Sequence, residues 1–508
     1  MNQQISIQGF LRKLRPLIIL SLLTITNATS AFAGEESEFI PVNPFMITPF
    51  VLLLLAIAVM PFIAKHWWEK NYPKVSISLG LVTIGYYVFG LDNSVRMMHS
   101  LIEYVSFIAL IGSLFIVAGG IHIRLRGKST PMRNVGFLAL GGLVANVLGT
   151  TGASMIMIRP FMRVNHYRLK PFHIVFFIFI ISNIGGALTP IGDPPLFLGY
   201  LKGVPFFWVI ANVWQPWVFT IIMLLFIFYV LDFISFRRYE KQVKNLDESQ
   251  FDEDAEISGW VNIVFLLIII GSIFIQNPPF LREFLMVVGA VGSIIFTKKE
   301  IRLKNNFNYE PLKEVSLLFF GIFATMVPAL DWLEMNAMKI GITTAGHFYW
   351  GSGLLSSVLD NAPTYLNFLS ASMGLLVDSN AVKEIQQMIT THGANISNVS
   401  GAFSEETRNA VAVLVKYHMN LLEANNVPLD DIRVAYLIGN SSIYLKAISV
   451  AAVYFGASTY IGNGPNFMVK SIADHARVKT PGFFGYIFKY AIPILLPVFI
   501  VVWWVWFR

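Results

Sequence analysis

Apolar residues fall in long runs separated by short polar segments rich in Lys and Arg, and the runs predict the elements. Residues 46 to 63 form a first span that ends at Lys65, His66, Glu69, Lys70 and Lys74. A second runs from about 76 to 91. A third runs from about 100 to 123 and ends at Arg124, Arg126, Lys128 and Arg133. Each is close to the roughly 20 apolar residues a membrane helix needs. The basic segments recur at one end of the bundle, as the cytoplasmic excess of Lys and Arg requires, if residue 34 starts outside.

The next run, 134 to 162, breaks this alternation because both of its ends are basic; it finishes among Arg159, Arg163, His166, Arg168 and Lys170. Its centre, Asn146 to Ser154, is small and polar where a straight span is greasiest. A re-entrant helical hairpin satisfies both facts, since non-helical backbone is tolerated at membrane depth where it lines a cavity or is buried in protein. One continuous span fits the charges worse. Residues 171 to 203 then cross outward, interrupted by GALTPIGDPPLF at 186 to 197, and 206 to 234 return to Arg237, Arg238, Lys241 and Lys244.

A polar linker, 235 to 258, separates this first unit (46 to 234) from a second (259 to 506) with the same succession. Spans at 260 to 276, 279 to 297 and 313 to 330 precede a second hairpin, 343 to 374, centred on Ser356 to Thr364. A long mixed-charge periplasmic loop, 378 to 431, leads to a broken span, 432 to 475, and a last span, 483 to 506. GALTPIGDPPLF aligns without a gap to GASTYIGNGPNF at 456 to 467, identical at seven of twelve positions, with Asp193 on Asn463. GLVANVLGTTGA at 142 to 153 aligns more weakly to GLLSSVLDNAPT at 353 to 364, with Gly149 on Asp360. Each half crosses an odd number of times, so the second copy is upside down. The expected fold is an all-α polytopic membrane protein of two inverted repeats, each with three spans, a re-entrant hairpin, a broken span and a final span.

Composition agrees: of 508 residues 55% are hydrophobic and 13% charged, with a mean hydropathy of +0.62, far outside soluble chains. The formal net charge of +7 lies in the topology clusters, so the partner is the lipid bilayer and not nucleic acid. There is no cysteine, hence no disulfide or thiolate chemistry. Arg12, Lys13 and Arg15, a short apolar core and Ala31-Phe32-Ala33 give residues 1 to 33 the order of a bacterial secretory signal peptide, the alternative being an uncleaved first helix. The expected location is the bacterial inner membrane.

The candidate chemistry lies at the breaks. Gly192 and Gly462 permit unwinding, and Pro194, Pro195 and Pro465 interrupt the helix. An ionisable group inside a membrane is costly, which makes Asp193 and Asp360 functional candidates. With them go Thr150, Thr151, Asn183, Thr189, Asn361, Thr364, Thr459 and Asn463, hard oxygen and amide groups suited to a small cation rather than a soft metal. Glu314 fits an ordinary acidic helix start. Lys446 is either a counter-charge or a snorkelling side chain. His122, His173 and His347 lack metal-ligand spacing, and no zinc-protease, nucleophile-elbow or phosphate-loop motif supports an enzyme. No cofactor is expected beyond the transported ions.

The succession Ile181-Ser182-Asn183-Ile184-Gly185-Gly186-Ala187, then Pro190-Ile191-Gly192-Asp193, together with Leu354 to Pro363, resembles the NhaD-type sodium/proton antiporters. These belong to the superfamily that also holds citrate and dicarboxylate carriers and arsenite permeases. The resemblance spans both halves and implies exchange of sodium or lithium for protons. It also implies that Asn183, Asp193, Asp360 and Asn361 bind the ion, so that Na+ would sit at the Asp193 and Asp360 regions. This chain departs from the family in continuing with Pro194-Pro195 where hydroxyl residues are common. The alternative is a citrate, dicarboxylate or arsenite carrier, against which stands the lack of an Arg or Lys at either tip; Lys202 and Lys470 lie about two turns beyond the breaks. Carriers of this architecture commonly dimerise, which makes a homodimer the candidate assembly.

Overall fold

The computed structural model describes residues 41–124, 129–244, 256–275, 278–396 and 403–508. The expected signal peptide, the middle of the linker and a glycosylation-like Asn-Val-Ser at 398 to 400 lie outside the described residues. Among the described residues, eight helices are long and apolar enough to cross a membrane. The protein is an all-α polytopic membrane protein; its described strands are His122–Arg124 and Glu256–Ser258, paired antiparallel with His122 opposite Ser258.

The helices follow the apolar runs, with boundaries set by local chemistry. Thr48–Ile63 is separated from Lys65–Gly85 by Ala64 alone, at φ −141° and ψ 56°. The second helix therefore takes in the polar segment expected to precede it, because Trp68 and Tyr72 are buried there. Ser94–Ala118 begins with Asn93 accepting from the Arg96 amide at 3.1 Å, which satisfies one of the free donors of the first turn. Phe206–Lys244 runs into the expected linker. In the second half, Val261–Ile273, Leu281–Phe296 and Glu310–Asn336 occupy the three expected spans, and the chain closes with a continuous helical segment from Phe483 to Trp506.

The segment expected as a loop, 378 to 431, carries helices of its own. It holds the helices Ser379–His392, Glu405–Tyr417 and Met419–Glu423. Ala381, Val382, Ile385, Met388 and Ile389 on one helix and Ala410, Val411 and Leu414 on another form a small core of their own, closed by Ile432, Ala435 and Tyr436. The apolar spacing is that of an amphipathic helix, hidden in the sequence by a high share of charged residues.

The two halves interleave. The first hairpin, Pro131–Asn165, is kinked at Gly149 and touches Gly464–His475, the half-helix after the second break. The second hairpin, Ala345–Val358 and Asn361–Leu376, touches Pro194–Leu201, the half-helix after the first break. Each break thus meets the hairpin of the other half.

Candidate functional site

Both spans interrupted in the sequence are broken in the structure. Pro171–Ile180 ends, a turn of 3-10 helix covers Ile184–Leu188, and Pro194–Leu201 resumes. Leu429–Gly456 ends in the second half and Gly464–His475 resumes. The prolines do more than stop a helix. Pro194 and Pro195 occupy the first two positions of one half-helix and Pro465 the second position of the other, where an amide hydrogen has no partner to lose. Asp193, Asp360 and Asn463 are the capping residues of the three half-helices that begin at the breaks and at the second hairpin tip. Each stands at the positive end of a helix dipole.

The glycines at the breaks answer to backbone crossings. A Cβ on Gly192 would lie 2.0 Å from the Gly186 carbonyl oxygen, and one on Gly462 would lie 2.7 Å from that of Gly456. The aligned residues therefore make the same contact twice. Thr189 and Thr459, also aligned, repeat a second one. Thr189 Oγ1 accepts from Gly192 N at 3.1 Å and donates to the Asn146 carbonyl at 2.6 Å. Thr459 Oγ1 accepts from Gly462 N at 3.0 Å and donates to the Ser357 carbonyl at 2.7 Å. Asn146 and Ser357 are themselves aligned. These two hydroxyls staple break to hairpin and are not brought to a carboxylate, and Thr364 Oγ1 likewise donates to the Asp360 carbonyl, at 3.0 Å.

What the breaks hold in place is the Asp193 carboxylate, 1% exposed. Its Oδ1 accepts from Thr150 Oγ1 at 2.7 Å and from Asn463 Nδ2 at 3.0 Å; its Oδ2 accepts from Asn361 Nδ2 at 2.5 Å. Hydrogen bonds to a charged group contribute about 1.5–3 kcal/mol each, so three of them offset a substantial part of the cost of burying the carboxylate. Asn183 Oδ1 accepts from Asn463 Nδ2 at 3.2 Å, and Asn183 Nδ2 donates to Asn466 Oδ1 at 2.6 Å. Five predicted residues, Thr150, Asn183, Asp193, Asn361 and Asn463, are thus one connected cluster. Asn361 Oδ1 is buried with no hydrogen-bond partner among the described residues. A buried acceptor without a donor is the position a dehydrated cation would satisfy.

Asp360 stands beside this cluster, not in it. Its Oδ1 accepts from the Ala362 amide at 3.0 Å. A cavity of about 50 Å³ is lined by Asp360, Asn463, Thr151 and the first turns of Glu310–Asn336; a neighbouring one of about 30 Å³ is lined by Asp193, Gly149, Thr150 and Thr151. Thr151 borders both. No Arg or Lys lines either.

Four participants lie outside the predicted set. Asn466 donates to the carbonyls of Gly456 and Thr459, both at 2.8 Å, and so shapes the second break. Asn146 donates to the Gly185 carbonyl at 2.6 Å, and Ser154 and Ser182 are 2.8 Å apart. Their signal was position within the polar hairpin centre and beside the break. Of the other candidates, Glu314 is exposed at a helix start, and Lys446 has no ion-pair partner among the described residues. Lys470 pairs with Asp474, and Lys202 with Glu103 and Asp430. His122 contacts Asn305 and His347 contacts the Thr343 amide. His173 belongs to a buried cluster below the first hairpin in which Asp232 meets Arg168, His173 Nε2 at 3.0 Å and Asn134 Nδ2 at 2.9 Å. Among the described residues no group of three or more His, Asp or Glu is placed to hold a metal ion.

No curated protein matches the chain. A family model described as "Putative citrate transport" matches residues 41–507, which includes every element of the site. On that match, the chain belongs to this family of membrane transporters.

Proposed function

We propose that this transporter exchanges sodium or lithium ions for protons across a bacterial inner membrane, with the ion bound where the two breaks and the two hairpin tips converge. The observation that carries this reading is the Asp193 carboxylate, buried among neutral hydroxyl and amide groups, with the orphaned Asn361 oxygen beside it and no Arg or Lys lining either cavity. A small hard cation finds oxygen ligands there, and a proton finds the same carboxylate. Occupancy by one or the other, never both, is sufficient for exchange. The two halves act as inverted repeats about this point, and alternating access exposes it to each side in turn.

The family match favours a second reading, in which the chain carries citrate or another carboxylate together with the same cation. The half-helix N-termini at Pro194, Asn361 and Gly464 would then serve the anion. The cavities, at about 30 and 50 Å³, suit a small ion better than a tricarboxylate in this conformation.

The test is made in everted vesicles holding an acid-inside pH gradient, followed with an acridine dye. Dequenching by sodium or lithium that is lost in Asp193→Asn supports exchange. Silence toward every cation, with accumulation of labelled citrate, would replace exchange by anion transport.

A further inference from the structure

Half-helix Pro194–Leu201 has Asp193 as its cap and Lys202 directly after its other end. Lys202 Nζ lies 2.6 Å from Glu103 Oε1 and 3.5 Å from Asp430 Oδ2, with its side chain 13% exposed. Glu103 belongs to Ser94–Ala118, the helix whose Leu110, Ile111, Leu114 and Phe115 line the Asp193 cavity. Asp430 stands in the first turn of Leu429–Gly456, the span that leads to the second break. One ammonium group therefore joins the two broken spans to each other and to a neighbouring helix that is not broken.

The contact is reinforced around it. Gly203 has φ +91°, and a Cβ there would fall 2.8 Å from the Asp431 Cα, so the backbones at 203 and 431 touch. Arg433 pairs with Glu334 on Glu310–Asn336, and His418 Nδ1 lies 3.3 Å from Asp431 Oδ1. Between this layer and the site, Phe197, Leu198, Tyr365, Leu366 and Leu369 are buried. The opposite approach differs. The cavity beside Asp360 reaches Pro311, Leu312 and Val315 at the start of Glu310–Asn336, next to the basic stretch Lys298–Lys304.

We propose that Lys202, held between Glu103 and Asp430, is a positioning residue that locks the site closed at the end of the bundle away from the basic loops. The conformer described here is the one reached from the basic end. Opening the other side requires Lys202 to part from both carboxylates. Because the half-helix between Asp193 and Lys202 is a single rigid piece, displacement of one is displacement of the other. The inference rests on the transporter reading and not on which ion or anion is carried.

The chain has no cysteine, so Ile111→Cys, which borders both cavities, is a single reporter. A membrane-impermeant thiol reagent is applied to right-side-out and everted vesicles. The parent reporter should label from the basic end and scarcely from the other. Adding Lys202→Met or Glu103→Gln should raise labelling from that other end roughly tenfold, as a shift toward the open state, while Lys202→Arg restores the parent pattern. Unchanged labelling from the basic end shows that the fold is intact, and Glu103→Gln reads the same contact if Lys202→Met fails to fold. Equal labelling of the parent from both ends, or no rise in either variant, overturns the proposal. The readout is access and not flux. A protein that moves no sodium would sink the exchange reading and leave this result standing.

Discussion

Thr150 and Asn361 occupy the same aligned position in the two hairpins and hydrogen-bond opposite oxygens of one carboxylate, Asp193, at 2.7 and 2.5 Å. Each hairpin tip therefore holds one side of a single group. Thr150→Val and Asn361→Ala should each raise the sodium concentration for half-maximal dequenching in vesicles roughly tenfold, the effect expected of one lost charge-assisted bond. The double variant should cost less than the sum, because both bonds converge on the same group. Unaltered half-saturation in both single variants would remove Asp193 from the ion site.

The glycines of the second break provide an internal control. Gly462 has the Gly456 carbonyl in its way, whereas nothing lies within 4 Å of a Cβ on Gly464. Gly462→Ala and Gly192→Ala should lower stability in detergent by about 1–3 kcal/mol or prevent folding, as overpacking does. Gly464→Ala should leave the melting temperature near the parent value. Size-exclusion profiles after heating would separate the three.

Below the first hairpin, Arg168 and Asp232 are an almost fully enclosed ion pair, with side chains 1% and 0% exposed. Arg168→Met should destabilise the protein by about 3–5 kcal/mol, because the carboxylate is left buried and without its cation. Arg168→Met with Asp232→Asn should recover a large part of that loss. A double variant no more stable than Arg168→Met would show that the pair's charge is not what the fold depends on.

In the helical cap of Ser379–His392, Glu405–Tyr417 and Met419–Glu423, burial holds the His418 imidazole down at about 4, below its ordinary 6.5, with Asp431 3.3 Å away. A histidine kept neutral by folding contributes stability that is complete above its unfolded value and is lost as pH falls toward the folded one. The His418 contribution should therefore be lost between about pH 6.5 and pH 4, while Asp431, which burial pushes up to about 7, takes up its proton over the same range and offsets that loss, so the His418 share is the difference between the parent and His418→Gln. Limited proteolysis of sealed vesicles over that range checks it. His418→Gln should be cleaved less than the parent at pH 4 relative to pH 6.5, and identical pH profiles for the two proteins would refute the link.

The element order and the candidacy of Asp193, Asn361 and Asn463 were legible in the sequence, because these follow from apolar run length, the side on which charge clusters, and the match between halves. The sequence did not carry contacts whose partners are far apart in the chain and leave no local mark. Asn466 faces Leu196 in the alignment, so the repeat gave no hint that it shapes the second break. Asp232 sits in an apolar helix and finds Arg168 and His173 only when the hairpin folds beside it. The cap helices were legible in principle. Their apolar residues recur at helical spacing, but the charged background led to a loop. Asp360 shows the opposite limit: its place at a hairpin tip was readable, and its separation from the Asp193 hydrogen-bond cluster was not.

Asp193 and Asn463 occupy matched positions and touch, at 3.0 Å, where the two halves meet. A pair of identical separate subunits joined about such a point would have to present two carboxylates there, which repel, or two amides, which carry no charge. Joining the halves in one polypeptide lets the two positions differ. The arrangement is in effect a heterodimer encoded once, and covalent linkage is what permits a carboxylate to face an amide at the matched positions.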